Sequence, residues 1–235
     1  MGRGLVGPAA GGGRVFGIVR PTMNPISPAV LALSAVLLAA CSNAGIQRID
    51  NAASGMESTR QVLTRGGADL DKVLATAGAM GATPDYKKNF EQFSAALDRL
   101  EGTAKDARTS WASLTGKSEE YVKAWEAESS KLAGEQSREI AATRRQAYEA
   151  RIKDLQKAMG ELKDAYEPFV TEMSDARVLL AHDLNAEGIA AIAPMLKKAE
   201  QQAGVIRAKS AAATKILEDL ASKMATKGAA TGTGK

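Results

Sequence analysis

Tyr86-Lys-Lys-Asn-Phe90-Glu-Gln-Phe93-Ser-Ala-Ala-Leu97-Asp-Arg-Leu100-Glu-Gly-Thr-Ala104-Lys-Asp-Ala107-Arg-Thr-Ser-Trp111-Ala-Ser-Leu114 is the stretch that decides the fold. Its apolar and small residues recur in alternating steps of four and three, which is an a/d seam along one face of a helix; a strand would alternate every second residue. The frame continues through Ser118, Tyr121, Trp125, Glu128 and Leu132, so the helix is expected to run past Gly116. A second seam runs from Tyr148 through Leu155, Leu162 and Phe169 to Leu180, and a third from Ile192 through Ala199, Ile206 and Ala213 to Met224. Upstream, Ile49, Met56, Leu63, Leu70 and Ala77 share one heptad position, with Gly66-Gly67 weakening the middle.

The breaks between seams define the elements. Gly78 to Pro84 separates the first helix from the second, with Thr83 or Asp85 available as a cap beside Pro84. Gly134 marks a turn near 133–137, and Asn185 is a candidate N-cap for the last helix, with Glu187 in its first turn. The second seam survives across Pro168, which predicts a kink, and Pro194 falls in the first turns of the last helix and leaves its start ambiguous. All aromatic residues after Cys41 lie on the two central seams. The expectation is an all-α protein: an elongated antiparallel bundle of about four long helices over 49–225, its central pair a hairpin with arms ~70 Å long. Shorter Ala-rich helices pack beside the base of that hairpin. The tail 226–235 has no apolar period and is expected to stand apart from the bundle.

Composition agrees. Of 235 residues 45% are apolar but only 4% aromatic, so the core must be built from Ala, Leu, Ile, Val and Met, a mixture that favours helices. The formal charge of +4 is misleading. Arg3, Arg14 and Arg20 precede Cys41 and no acidic residue does, so the 31 basic side chains fall to 28 against 27 acidic ones in the body. Such a balance predicts no nucleic-acid partner.

The amino-terminal segment carries an address. Residues 1–20 are rich in glycine and arginine, and from Ile26 to Ala40 the chain turns apolar, in the order of a signal peptide. At ~1.5 Å per residue that run reaches only ~22 Å of a ~30 Å hydrocarbon core, which favours cleavage over a membrane-spanning helix. An internal start at Val19, or at Met23, would shorten the unusually long leader. The run ends in Leu38-Ala39-Ala40-Cys41, which resembles the lipobox of bacterial lipoproteins. That resemblance implies acylation of Cys41, the only cysteine, removal of residues 1–40, and a lipidated linker over 41–48. It also implies that Ser42, following the cysteine, sends the protein to the outer membrane of a two-membrane cell. Two or three acyl chains at ~0.8 kcal/mol per buried methylene give stable anchoring.

No catalytic constellation accompanies this address. A lone cysteine forms neither a disulfide nor a cysteine metal cluster, and His182, the single histidine, reads as a helix-end residue. The carboxylates alternate with lysines as on a solvated helix face. No catalytic residue, metal or cofactor is expected. Arg138, Arg144, Arg145 and Arg151, near the tip of the central hairpin, are candidate contacts for an anionic surface such as phospholipid, lipopolysaccharide or cell wall. Lys235 is similar in position to the terminal lysine through which a small outer-membrane lipoprotein is joined to peptidoglycan, although the preceding Gly-Thr-Gly differs from that protein's end.

Tyr121-Val-Lys-Ala-Trp125-Glu-Ala-Glu128, Pro168-Phe169 and Leu180-Ala-His182-Asp-Leu-Asn185-Ala-Glu-Gly-Ile189-Ala resemble a family of bacterial envelope proteins known only as a domain of unknown function. The resemblance covers Trp125 to Leu220 and, more loosely, most of the chain after Cys41. It implies a coiled-coil, secreted or lipid-anchored protein and supplies no activity. The expected function is that of a non-catalytic scaffold or adaptor of the cell envelope, held at a membrane through Cys41 and binding an envelope protein or the cell wall. A holdase-like periplasmic chaperone is the alternative, and an enzyme built from unrecognised carboxylates is more distant. Oligomeric state is not legible.

Overall fold

The computed structural model describes residues 28–225, with side chains from Ala44 onward. The chain divides into two compact units, Met1–Ala40 and Cys41–Lys235. Five helices follow in order: α1 Pro28–Gly78, α2 Tyr86–Ser129, α3 Glu135–His182, α4 Ala186–Ala191 and α5 Ala193–Met224. The described residues contain no strand. Leader residues before Pro28, the tail 226–235 and Lys235 lie outside the described residues.

Each boundary has a local cause. The α1–α2 turn closes on Asp85, whose carboxylate accepts the Lys88 backbone N–H at 3.2 Å, while Thr83 receives the Asn89 side-chain amide at 3.1 Å. Gly134, extended at φ −78° and ψ 133°, opens α3. Asn185 caps α4 by accepting the backbone N–H groups of Glu187 and Gly188, both at 2.9 Å. α3 runs through Pro168 without ending.

The last helix, whose start Pro194 leaves ambiguous in the sequence, is split into α4 and α5 at Ile192. Pro194 has no N–H to offer the carbonyl four residues back, and its ring crowds that carbonyl, so α4 cannot continue through it; Pro194 instead occupies the first turn of α5. Residues 41–48 are helical backbone within α1.

Within the unit from Cys41, the four long helices pack antiparallel in chain order and close a ring. α1 meets α2 where Thr59 approaches Ser110 at 3.0 Å and where Asp69 accepts the Thr103 hydroxyl at 2.7 Å. α2 meets α3 through Tyr148, which donates to Ser118 at 3.0 Å, and through Arg177 and Asp98 at 2.6 Å. Along α3 and α5, Glu172 pairs with Lys198, Glu161 with Lys209 and Arg151 with Asp219, one chain ascending as the other descends. Arg207 reaches Asp71 and returns the ring to α1. Exposed pairs of this kind contribute little stability each, about 0–1 kcal/mol, but they record one register throughout.

The seams bury two hydrophobic clusters. One gathers Leu70, Phe93, Leu97, Phe169, Met173, Leu180 and Ile192 toward the α1–α2 turn, and the other gathers Met56, Leu114, Tyr148, Leu155, Leu217 and Leu220 toward the α2–α3 turn. Leu162 packs against both, at the waist between them.

Candidate functional site

Three places could carry function: the end of the bundle where Cys41 enters, the opposite end with His182, and the waist. At the first, Gly45 of α1 lies 3.9 Å, measured from an added Cβ, from the Glu128 carboxylate of α2, and Arg48 pairs with the same carboxylate. The segment that follows Cys41 therefore stands beside the α2–α3 turn. The side chains of Leu38, Ala39, Ala40, Cys41 and Ser42 lie outside the described residues, although their backbone belongs to α1.

The arginines near that turn have different fates. Arg138 donates to the carbonyls of Leu132 at 3.0 Å and Ala133 at 3.4 Å, satisfying backbone acceptors in the turn between α2 and α3. Arg145 is held by Glu149 at 3.0 Å and Glu126 at 3.5 Å, and Arg151 by Asp219 at 3.2 Å and Asp154 at 3.4 Å. Arg144 is exposed and makes no ion pair among the described residues. The structure thus gives three of the four arginines internal partners. It also exposes Ile140 (55%) and Leu132 (38%) at the same turn, an apolar feature that the heptad count could not place because these residues lie at or beyond the seam's end.

An aromatic clamp stands just inside. Tyr121 lies tilted against Trp125, ring centres 5.4 Å apart, and meets Tyr148 edge to face at 5.2 Å. Burial pushes the hydroxyls of Tyr121 and Tyr148 above their ordinary pKa, so both stay protonated as hydrogen-bonding groups at neutral pH.

At the opposite end His182 is exposed as the last residue of α3. Asp183 donates its backbone N–H to the Leu179 carbonyl at 3.1 Å, and its carboxylate accepts from the Asn185 side-chain amide at 2.5 Å. A Cβ on Gly188 would sit 1.9 Å from the Asp183 carbonyl oxygen, a contact no side chain survives. His182-Asp183 is the hinge of a tight helix-to-helix turn, closed by an Asn cap and a required glycine. Among the described residues no group of three or more His, Cys, Asp or Glu could hold a metal ion. No helix among them is long and apolar enough to cross a membrane.

The waist holds what periodicity alone did not expose: a partly open cavity of about 620 Å³, walled by all four long helices. Gly66-Gly67 of α1, Ala104 and Ala107 of α2, Gly160 of α3 and Ser210 of α5 come level there, and their small side chains leave the space that larger residues would fill. Apolar walls come from Leu63, Leu100, Trp111, Met159 and Ile206. Gly66-Gly67 had been legible only as a weak place in a seam. The antiparallel register that aligns it with small residues on three other helices is a tertiary fact.

No curated protein and no solved structure matches the chain. Residues 41–215, from the cysteine through most of α5, match one family, described as a protein of unknown function (DUF2959). In the fold, the segments that carry the resemblance form an aromatic clamp, a buried Phe169 behind a helical proline, and a capped turn. The match spans most of the sequence, and the chain belongs to the DUF2959 family.

Proposed function

We propose that the protein is a lipid-tethered, non-catalytic interaction protein of the bacterial cell envelope, acylated on Cys41 after removal of residues 1–40 and carried, through Ser42, to the periplasmic face of the outer membrane. One coincidence carries the reading. The family match begins at Cys41, and the compact helical unit begins at the same residue, which is also where Leu38-Ala39-Ala40-Cys41 places a processing site. Three boundaries drawn on different grounds fall on one residue.

On this reading the two ends take different roles. The α2–α3 turn stands on the tethered side, so Arg144, Ile140 and Leu132 face the lipid surface, a basic side chain beside apolar ones, as expected of a peripheral membrane contact. The α1–α2 and α3–α4 turns stand at the far end, ~65 Å away by the length of α2, and meet the envelope partner. An elongated hairpin with a basic tip is what supports the chaperone alternative; with the tip at the tether, the adaptor is favoured. The test is fractionation of cells that make the wild-type chain or Cys41→Ser. Wild type is expected in the outer-membrane fraction and the variant, which keeps residues 1–40, outside it. An unaltered distribution of the variant overturns the tether.

A further inference from the structure

We propose that the waist cavity binds a single-chain amphiphile with an anionic head, its hydrocarbon tail lodged among the four helices and its head met by Arg108. The size is suitable. About 620 Å³ falls inside the ~300–1,000 Å³ of ordinary small-molecule sites, and an apolar space of this kind is poor at holding water and good at holding hydrocarbon. So is the form. The wall runs from Leu100 to Trp111 on α2 and from Gln156 to Tyr166 on α3, ~15 Å along the bundle at ~1.5 Å per residue, which makes a slot for an unbranched chain.

Charge selects the head. The charged residues of the wall are Arg108, Lys163 and Arg207, all basic, although the body of the protein is almost evenly balanced. Arg207 is committed to Asp71 at 2.5 Å, and Lys163 reaches Glu167 on its own helix at 3.4 Å. Arg108 is exposed at the wall and makes no ion pair or hydrogen bond among the described residues. A guanidinium without a partner beside an apolar slot suits a carboxylate or a phosphate, which it can grip through two N–H groups. Tyr166 adds a donor. Its hydroxyl is buried without a partner among the described residues, a state that costs free energy unless something accepts from it. Burial pushes its pKa up to about 12, so it carries its proton throughout the physiological range.

A free fatty acid and a single-chain phospholipid share this chemistry, and direct competition separates them. The full-length chain, stripped of bound lipid, is loaded with a fluorescent fatty-acid probe, which is then displaced by a long-chain fatty acid, its methyl ester or lysophosphatidate. One-to-one displacement by an anionic competitor, at least about tenfold tighter than by the ester, is expected, since a hydrogen bond to a charged group is of that order. The tighter of the two anions names the head. Arg108→Gln is expected to bring the acid to within about twofold of the ester with an unchanged melting temperature. Gly67→Phe, placed where an added Cβ meets nothing within 4 Å, is expected to fill the slot and abolish displacement by every competitor while helicity persists. No saturable binding, an ester as tight as both anions, or binding untouched by a folded Gly67→Phe overturns the proposal. Should Gly67→Phe not fold, Arg108→Gln decides alone: an acid-to-ester preference that it leaves intact overturns the assignment.

Discussion

Two glycines show how differently one residue type can be used. Gly188 is fixed by a backbone contact: the Asp183 carbonyl occupies the space a methyl group would need. Gly188→Ala is predicted to destabilise by about 2 kcal/mol or more, as overpacking against a fixed atom does, and to appear as a lowered midpoint in urea unfolding. Gly67 meets nothing, and Gly67→Ala is predicted to raise the same midpoint, since Ala exceeds Gly by up to about 1 kcal/mol inside a helix. Sequence alone could not sort them. Both are single letters in helical stretches, and only the fold brings Asp183 against one of them. Asp69 is a third case. It is buried, paired with Arg99 at 2.8 Å and accepting from Thr103 at 2.7 Å. Asp69→Ala leaves the buried Thr103 hydroxyl without that acceptor and is predicted to cost about 1–3 kcal/mol by the same measurement.

Among the elements, α3 carries the clearest internal conflict. Pro168 is exposed and sits inside a 48-residue helix, while its neighbour Phe169 is fully buried in the core. Proline in a helix interior costs about 3 kcal/mol, so Pro168→Ala is predicted to stabilise the bundle, measured as a raised thermal midpoint, whereas Phe169→Ala is predicted to cost about 3–5 kcal/mol. The opposite sign at Pro168 would show that the proline relieves strain that a regular helix would carry. Ion pairing sets the acid limb. Hydrogen bonds from Arg60 and Gln61 lower Glu57 from 4.5 to about 2, and Lys209 and Lys223 lower Glu161 and Asp219. A depressed carboxylate stabilises the fold above its unfolded pKa and loses that contribution as pH falls through its folded value. The thermal midpoint is therefore predicted to decline from about pH 4.5 toward pH 2, modestly because these groups are solvent-screened. The tyrosines act at the other limit. Raised values favour the neutral phenol in the fold, so their contribution is complete below pH 10 and is lost toward about pH 12.

The same scale shows what was legible. Heptad spacing located α2, α3 and α5 and the turns between them, because long amphipathic periods leave few competing structures. It left the start of the last helix ambiguous at Pro194, where the structure breaks α4 from α5. It gave no sign of the waist, because a cavity is made by small residues on four helices coming level. Its cluster of arginines was a cluster in sequence, and the bundle supplied carboxylates from α2, α3 and α5, together with backbone carbonyls, to three of them.

For the molecule as a whole, α1 enters the bundle directly after Cys41. The proposed acylation there would hold the α2–α3 turn close to the lipid and direct the opposite turns outward, fixing the height at which a partner is met. The most direct measurement is the intact mass of the chain extracted from membranes, for wild type and for Cys41→Ser. The account predicts a wild-type chain beginning at Cys41 with added acyl mass, and neither feature in the variant. A wild-type chain that keeps residues 1–40, or that begins at Cys41 without acyl mass, would contradict it.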